Sequence, residues 1–123
     1  MAEPKTIYVI DDDTALRTAY AAALTRLGHH TQTAADGVKG QALLATGRPD
    51  LVLLDMLMPN LDGVGFLKGL RNDAANADVK VVVVSNFESM PEAEGLGVTK
   101  YLSKMENPPE AVAAAVDKIL RAA

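Results

Sequence analysis

The sequence predicts an α/β fold, an open doubly wound parallel sheet of five strands with helices on both faces. Two observations carry this. Short continuous apolar runs, I-Y-V-I at 7–10, L-V-L-L at 51–54 and V-V-V-V at 81–84, alternate with segments of helical periodicity. Such runs suit strands buried on both faces, which is the parallel arrangement with crossover helices. No linker, tandem repeat or low-complexity stretch interrupts the 123 residues, so a single domain over 1–123 is expected.

Strand one is Ile7 to Ile10. Residues 14–27 then place Leu16, Tyr20, Leu24 and Leu27 at helical spacing, and Gly28 ends the helix. Residues 30–34, H-T-Q-T-A, form a weak strand. Helix two is expected over 37–46 with Val38, Ala42 and Ala45 on its inner face, weakened by Gly40. Leu51–Leu54 is strand three. Gly63 to Arg71 carries Phe66, Leu67 and Leu70 on one face of helix three, with Asp62 as its cap. Val81–Val84 is strand four and Thr99–Leu102 strand five. Asn107, Pro108 and Glu110 read as a capping box opening the last helix, whose stripe is Ala111, Val112, Ala115, Val116, Ile119 and Leu120.

The net charge of −4, with Lys and Arg scattered, argues against binding nucleic acid directly. The chain has no cysteine, which excludes disulfides and thiolate metal sites. The start, M-A-E-P-K, lacks an apolar targeting core, and no aliphatic run is long enough to cross a membrane. The expectation is a cytoplasmic protein that does not engage membranes.

Ligands of such sheets sit beyond the carboxyl ends of the strands. Asp11, Asp12 and Asp13 follow strand one, Asp55 follows strand three, Ser85 and Asn86 follow strand four, and Ser103 and Lys104 follow strand five. If strands one and three are neighbours, Asp11, Asp12 and Asp55 converge while Lys104 and Ser85 approach from the other side. Carboxylates held together repel, and a hard cation such as Mg²⁺, which takes oxygen ligands, resolves this. An ionised carboxylate beside such an ion and a lysine is a nucleophile toward phosphorus, with the cations sharing the phosphoryl oxygens. Taken singly, each residue has a plainer reading. Asp13 caps helix one, Asp11 and Asp12 form a solvated turn, Lys104 is a surface lysine, and Ser85 is a loop hydroxyl. Asp55 resists such a reading, because it ends an aliphatic strand where an unpaired charge is costly. Met56 and Met58 read as packing residues, and His29 and His30 as surface or edge residues.

With these motifs in this order, the chain resembles the CheY-like receiver domains of two-component response regulators over essentially its whole length. The resemblance implies a flavodoxin-like sheet of order 2-1-3-4-5. It implies that Asp55, within D-M-L-M-P-N-L-D-G, takes a phosphoryl group from a phosphohistidine on a sensor histidine kinase or histidine phosphotransfer protein. Mg²⁺ would be held by Asp12, Asp55 and the backbone carbonyl of Leu57, with Asp11 acting largely through water. Lys104 is the family's lysine, Ser85 its switch hydroxyl, and Tyr101 the switch aromatic that turns inward. The output would be a changed surface of the fourth helix, fifth strand and last helix, read by a downstream protein target or by a phosphorylation-dependent dimer. The resemblance implies self-phosphorylation with no turnover of a separate substrate.

Three departures stand out. Met105 follows Lys104 where the family commonly has a proline after a cis bond. A cis bond before Met costs roughly 2.5–4 kcal/mol, so a trans bond with a rearranged loop, or a strained cis bond, is expected. Ser85 to Lys104 is a shorter interval than in chemotaxis-type receivers, and Pro91 falls where helix four belongs, so that helix is expected to be shortened or irregular. Leu57 and Phe87 occupy the two positions that influence hydrolysis in the family. Neither side chain can orient a water, so slow autodephosphorylation is expected.

Other readings stay open on sequence grounds. The chain fits a stand-alone switch, a receiver excised from a longer response regulator, or a non-phosphorylated docking scaffold. D-D-D-T also faintly resembles the nucleophile motif of haloacid-dehalogenase-type Mg²⁺ phosphatases, but the spacing is off and the chain is small for that fold.

Overall fold

The structure, a computed structural model, describes residues 3–86, 93 and 95–122. The strands are β1 (Thr6–Ile10), β2 (His30–Ala34), β3 (Leu51–Leu54), β4 (Lys80–Ser85) and β5 (Lys100–Ser103). They form one sheet of order β2-β1-β3-β4-β5, every pair parallel. The helices are α1 (Thr14–Arg26), α2 (Gly37–Thr46), α3 (Gly63–Asn72) and a C-terminal helix (Pro109–Arg121), with a 3₁₀ turn at Ala74–Asn76. The expected strand order is therefore observed. Pro91 and the shortened fourth helix lie outside the described residues.

Strand alternation divides the core in two. Ile7, Val9, Leu51, Leu53, Val82 and Val84 pack with Tyr20 and Leu24 of α1 and Val112, Val116 and Leu120 of the C-terminal helix. Tyr8, Ile10, Val52, Leu54, Val81 and Val83 face the other way, against Phe66, Leu67 and Leu70 of α3 and Leu43 and Leu44 of α2. Successive side chains of a strand point to opposite faces, so a continuous apolar run supplies both layers. Leu27 and Gly28 close α1 as expected, with Gly28 in the left-handed region (φ 95°) donating its N–H to the Thr25 carbonyl at 3.0 Å.

Three local expectations are corrected. In α2, Val38, Ala42 and Ala45 are exposed; the inner face is Gly37, Gly40, Leu43 and Leu44. Gly40 is there for contact. A Cβ at that position would stand 2.7 Å from Ile10 Cδ1 and 2.9 Å from Phe66 Cε1. Gly40→Val is therefore expected to lose about 1–3 kcal/mol to overpacking; urea unfolding measures it, and an unchanged midpoint would mean that the helix can shift outward freely.

The second correction is the capping box, which does not form. Pro108 occupies the N-cap position with no side-chain cap, and Asn107 Nδ2 instead donates to the Ser103 carbonyl at 3.0 Å. The third is His29, which is buried, not superficial. Its Nδ1 accepts the Lys5 N–H at 3.2 Å, so Nε2 carries the proton and donates to Asp117 Oδ1 at 2.7 Å. Asp117 also accepts from Arg121 Nε at 2.7 Å. Arg121 and, after it, His29 hold the Asp117 carboxyl below the usual range against its partial burial. His30, on the edge strand β2, is exposed as expected.

Arg71, at the end of α3, joins four backbone carbonyls: Leu96 at 2.6 Å, Val79 at 2.7 Å, Ala77 at 3.0 Å and Gly97 at 3.1 Å. It fastens the approach to β5 onto α3 and β4. Among the described residues no helix is long and apolar enough to cross a membrane.

Candidate functional site

The carboxyl ends of β1 and β3 lie side by side, because Ile10 pairs with Leu54. The next residue on each strand is an aspartate. Asp11 donates its N–H to the Ala34 carbonyl at 3.1 Å, and Asp55 donates its own to the Ile10 carbonyl at 2.9 Å. Both carboxylates are buried, Asp55 at 5% exposure, while Asp12 is open to solvent. Each of the three offers an oxygen, and these oxygens lie within 4.8 Å of one another.

Lys104, just past β5, reaches across β4 to the pair. Its Nζ stands 3.0 Å from Asp11 Oδ2 and 3.4 Å from Asp55 Oδ2. The peptide bonds among the described residues are all trans, that between Lys104 and Met105 included. The lysine is placed without a cis bond: its backbone N–H donates to the Ser85 carbonyl at 2.9 Å, and Met105 N–H donates to Ser103 Oγ at 3.2 Å. Met105 itself points outward, 87% exposed.

One ammonium does not balance this cluster. Burial first, then the Asp11 carboxylate, push the Asp55 carboxyl up to about 6 against the opposing pull of Lys104. Burial works against the Lys104 ammonium too, but the hydrogen bond and charge of Asp11, with the charge of Asp55, keep its pKa above the usual lysine value. A set of three carboxylates, oxygen donors only, with charge left over after the lysine, fits a hard divalent cation.

Ser85 ends β4 opposite Ser103 and is buried at this same edge. Tyr101 lies further back on β5, half-buried against the α3-side core, and is not part of the carboxylate cluster. Leu57 follows Asp55 with its N–H donating to Asp55 Oδ1 at 3.3 Å and its side chain 52% exposed. Met56 is buried and Met58 partly so, as packing residues. Asp13 and Asp62 serve as caps, accepting from the N–H of Leu16 at 3.1 Å and of Gly65 at 2.8 Å. Phe87 lies outside the described residues.

Four neighbours of the site escape the sequence reading. Arg17 Nη1 donates to the Asp11 carbonyl at 2.8 Å and so braces the acidic loop. Tyr20 faces the cluster from α1; burial raises its pKa, with Lys104 pulling the other way. Asn60, in the loop after Asp55, donates its side-chain amide to Asp36 at the start of α2 at 2.9 Å. No local periodicity marks these contacts: Arg17 reaches back six positions to Asp11, and the others come from the tertiary fold.

Comparison with known proteins gives a consistent picture. The model of the response regulator receiver domain family matches residues 7–116. The chain is 36% identical over 101 residues to the DNA-binding dual master transcriptional regulator RpaA of Synechocystis, covering 80% of this chain and 42% of that protein. Among solved structures, the receiver domain of Francisella response regulator 1452 superposes with a TM-score of 0.82 at 27% identity, covering 95% of this chain and 97% of that one. The Mn²⁺-bound form of response regulator Rcp1 superposes with a TM-score of 0.78 at 25% identity, covering 94% and 91%. The chain spans less than half the length of the curated relatives it matches.

Proposed function

The chain belongs to the response regulator receiver domain family, and from that premise we propose that residues 1–123 are one receiver unit, a phosphoacceptor switch that takes a phosphoryl group onto Asp55. The observation that carries this is Lys104 Nζ held between two buried carboxylates, 3.0 Å from Asp11 and 3.4 Å from Asp55. In a purely structural ion pair the second carboxylate would be a net cost. Here it is the one at the end of the central strand, beside the solvent-exposed Asp12.

The donor is a phosphohistidine on a sensor histidine kinase or a histidine phosphotransfer protein. An Asp55 carboxylate oxygen forms the new O–P bond while the P–N bond breaks and its electron pair returns to the donor imidazole. Asp12, Asp55 and the Leu57 carbonyl would hold Mg²⁺, with Asp11 acting largely through water. Bound there, the ion supplies positive charge to the transferring phosphoryl oxygens. Lys104 stabilises the same oxygens and counters the charge of Asp11. The Ser85 hydroxyl is drawn toward the phosphoryl group, and Tyr101 turns inward as a population shift between two packings. The altered surface around β5 and the C-terminal helix then meets a downstream protein partner or a second copy of the chain. The same reading makes the chain a cytoplasmic protein.

Labelling with a small acyl-phosphate donor, then peptide mapping, tests this reading. A single phosphoryl group on the peptide containing Asp55 is expected only with Mg²⁺. No mass gain at saturating Mg²⁺ would replace the switch with a docking scaffold.

Once formed, the acyl phosphate should persist. The Leu57 side chain stands exposed beside Asp55 and cannot hydrogen-bond an attacking water, a contribution that positioned groups supply to hydrolysis. Mass measured after donor removal is expected to show a phosphoryl lifetime far longer than seconds, shortened severalfold in Leu57→Asn. A lifetime of seconds in the parent would sink this expectation.

A further inference from the structure

The loop that follows Asp55 is anchored at its two ends. Asp55 N–H donates to the Ile10 carbonyl at 2.9 Å, and Gly63 N–H donates to the Met56 carbonyl at 3.0 Å. Between these anchors, among the described residues, the Leu57 N–H turns back to Asp55 Oδ1 at 3.3 Å, and two bonds tie 57–61 to another element, both running to the start of α2. Asn60 Nδ2 donates to Asp36 Oδ2 at 2.9 Å, and Gly37 N–H donates to the Leu61 carbonyl at 3.2 Å.

Asp36 is buried and divides its oxygens between two tasks. Oδ1 caps α2 by accepting the Lys39 N–H at 2.8 Å, while Oδ2 takes the loop amide. The Lys39 N–H and then the Asn60 amide hold its carboxyl below the usual range. Asn60 has φ 69°, and among the described residues no other non-glycine residue has positive φ. Asn tolerates that region better than most residues, yet glycine would suit it better. Gly37 completes the joint, since a Cβ there would stand 2.3 Å from the Leu61 carbonyl oxygen. A cap needs only one of the carboxylate oxygens, and a turn does not need a side-chain amide. The bond between Asp36 and Asn60 therefore requires another reason.

We propose that Asp36 and Asn60 are positioning residues that dock the Asp55 loop onto α2, so that Asp55 and the Leu57 carbonyl are held for a divalent cation. The proposal rests on the reading of Asp55 given above. Neither residue touches the cation; both act through the loop. Partners that orient metal ligands from behind typically cost 10–100-fold in affinity when removed.

Calorimetric titration of MgCl₂ into the full chain tests this; the chain has no tryptophan to report binding by fluorescence. Asn60→Gly removes the amide while suiting the backbone, so its melting temperature should hold or rise while Mg²⁺ binding weakens about tenfold. A purely structural role would move the two together. Asn60→Asp should also bind Mg²⁺ more weakly, although its added negative charge alone would favour the cation. The double variant Asp36→Asn, Asn60→Asp restores the bond with donor and acceptor exchanged and keeps the cap, since Asn caps as well as Asp. Its affinity should return to within about twofold of the parent's, the loop being held again. Parent-like affinity in both single variants, or a double variant no tighter than Asn60→Asp, would overturn the proposal. Phosphoryl labelling of the parent separates the two readings. If the parent is labelled but the variants bind Mg²⁺ normally, only the positioning role fails. If the parent binds Mg²⁺ and is never labelled, the phosphoacceptor reading fails and the affinities alone judge Asp36 and Asn60.

Discussion

Asp55→Asn is expected to abolish phosphoryl uptake and, without divalent cations, to make the protein more stable at neutral pH. The first effect follows from the loss of the only nucleophile in the proposed transfer. The second follows from the electrostatics of the cluster. Burial and Asp11 raise the Asp55 carboxyl from an ordinary 3.8 to about 6. A carboxyl raised in this way favours the fold fully below about pH 4 and loses that contribution as the pH climbs through 6. Above that, the parent carries a buried charge that Lys104 only partly offsets, a cost on the order of 2 kcal/mol. Asparagine is neutral and of the same shape, so the cost disappears. Urea unfolding in EDTA at pH 5 and pH 8 reads this directly: the gap between parent and variant should widen at pH 8. Mg²⁺ should narrow it, because a ligand of the native state adds stability only where its site is intact. Equal stabilities at both pH values would mean that Asp55 is already neutralised by other means.

Lys104→Ala is expected to lower the rate of Asp55 phosphorylation at least about a hundredfold, the usual scale for removing a group that stabilises developing charge. Cation binding should survive, since the carboxylates remain. In the metal-free protein, removing one partner of a buried pair typically costs about 3–5 kcal/mol. Here the expected loss is at the lower end, because Asp55 can take up a proton when its lysine is gone. The parent lysine has its pKa above the usual value, so its contribution is fully present below pH 10.5 and is lost only in more alkaline solution. Stopped-flow phosphorylation at saturating donor checks the rate, and chemical unfolding at pH 7 checks the stability. Phosphorylation at the parental rate would show that Lys104 only steadies Asp11.

Much of this site was legible because sheet geometry brings strand ends together. Asp11, Asp55 and Lys104 each follow a strand whose apolar run marks where it stops, and a parallel sheet aligns those stops. The weak strand H-T-Q-T-A was bounded correctly because Gly28 and Asp36 bracket it. The inner face of α2 was misread because hydropathy rewards side chains, and this helix packs closely by lacking one at Gly40. The capping box failed because the Asn107 amide found the Ser103 carbonyl, a competitor not visible in the local motif. His29 paired with Asp117, 88 positions away, where no local pattern could announce it. Arg17 and the Asp36–Asn60 bond share that limit: they belong to the docking of loops on helices, which periodicity does not encode.

The alternation of β1, β3 and β4 between two half-cores has a consequence for how the molecule shares perturbations. Val9 and Ile10 are covalent neighbours, yet one packs with the C-terminal helix and the other with α3. Substitutions at the two should add nearly independently, whereas Val9 and Val116, far apart in sequence but in one cluster, should couple. Tyr101 sits with the α3 half and Leu102 with the other. In the proposed switch, a repacking of Tyr101 would therefore start on the α3 side of the sheet, while the C-terminal helix it is to influence packs on the other. The sheet therefore stands between the side chain that would repack and the helix beside which a partner would read it, and β5 itself, carrying Tyr101 to one face and Leu102 to the other, is the link between them.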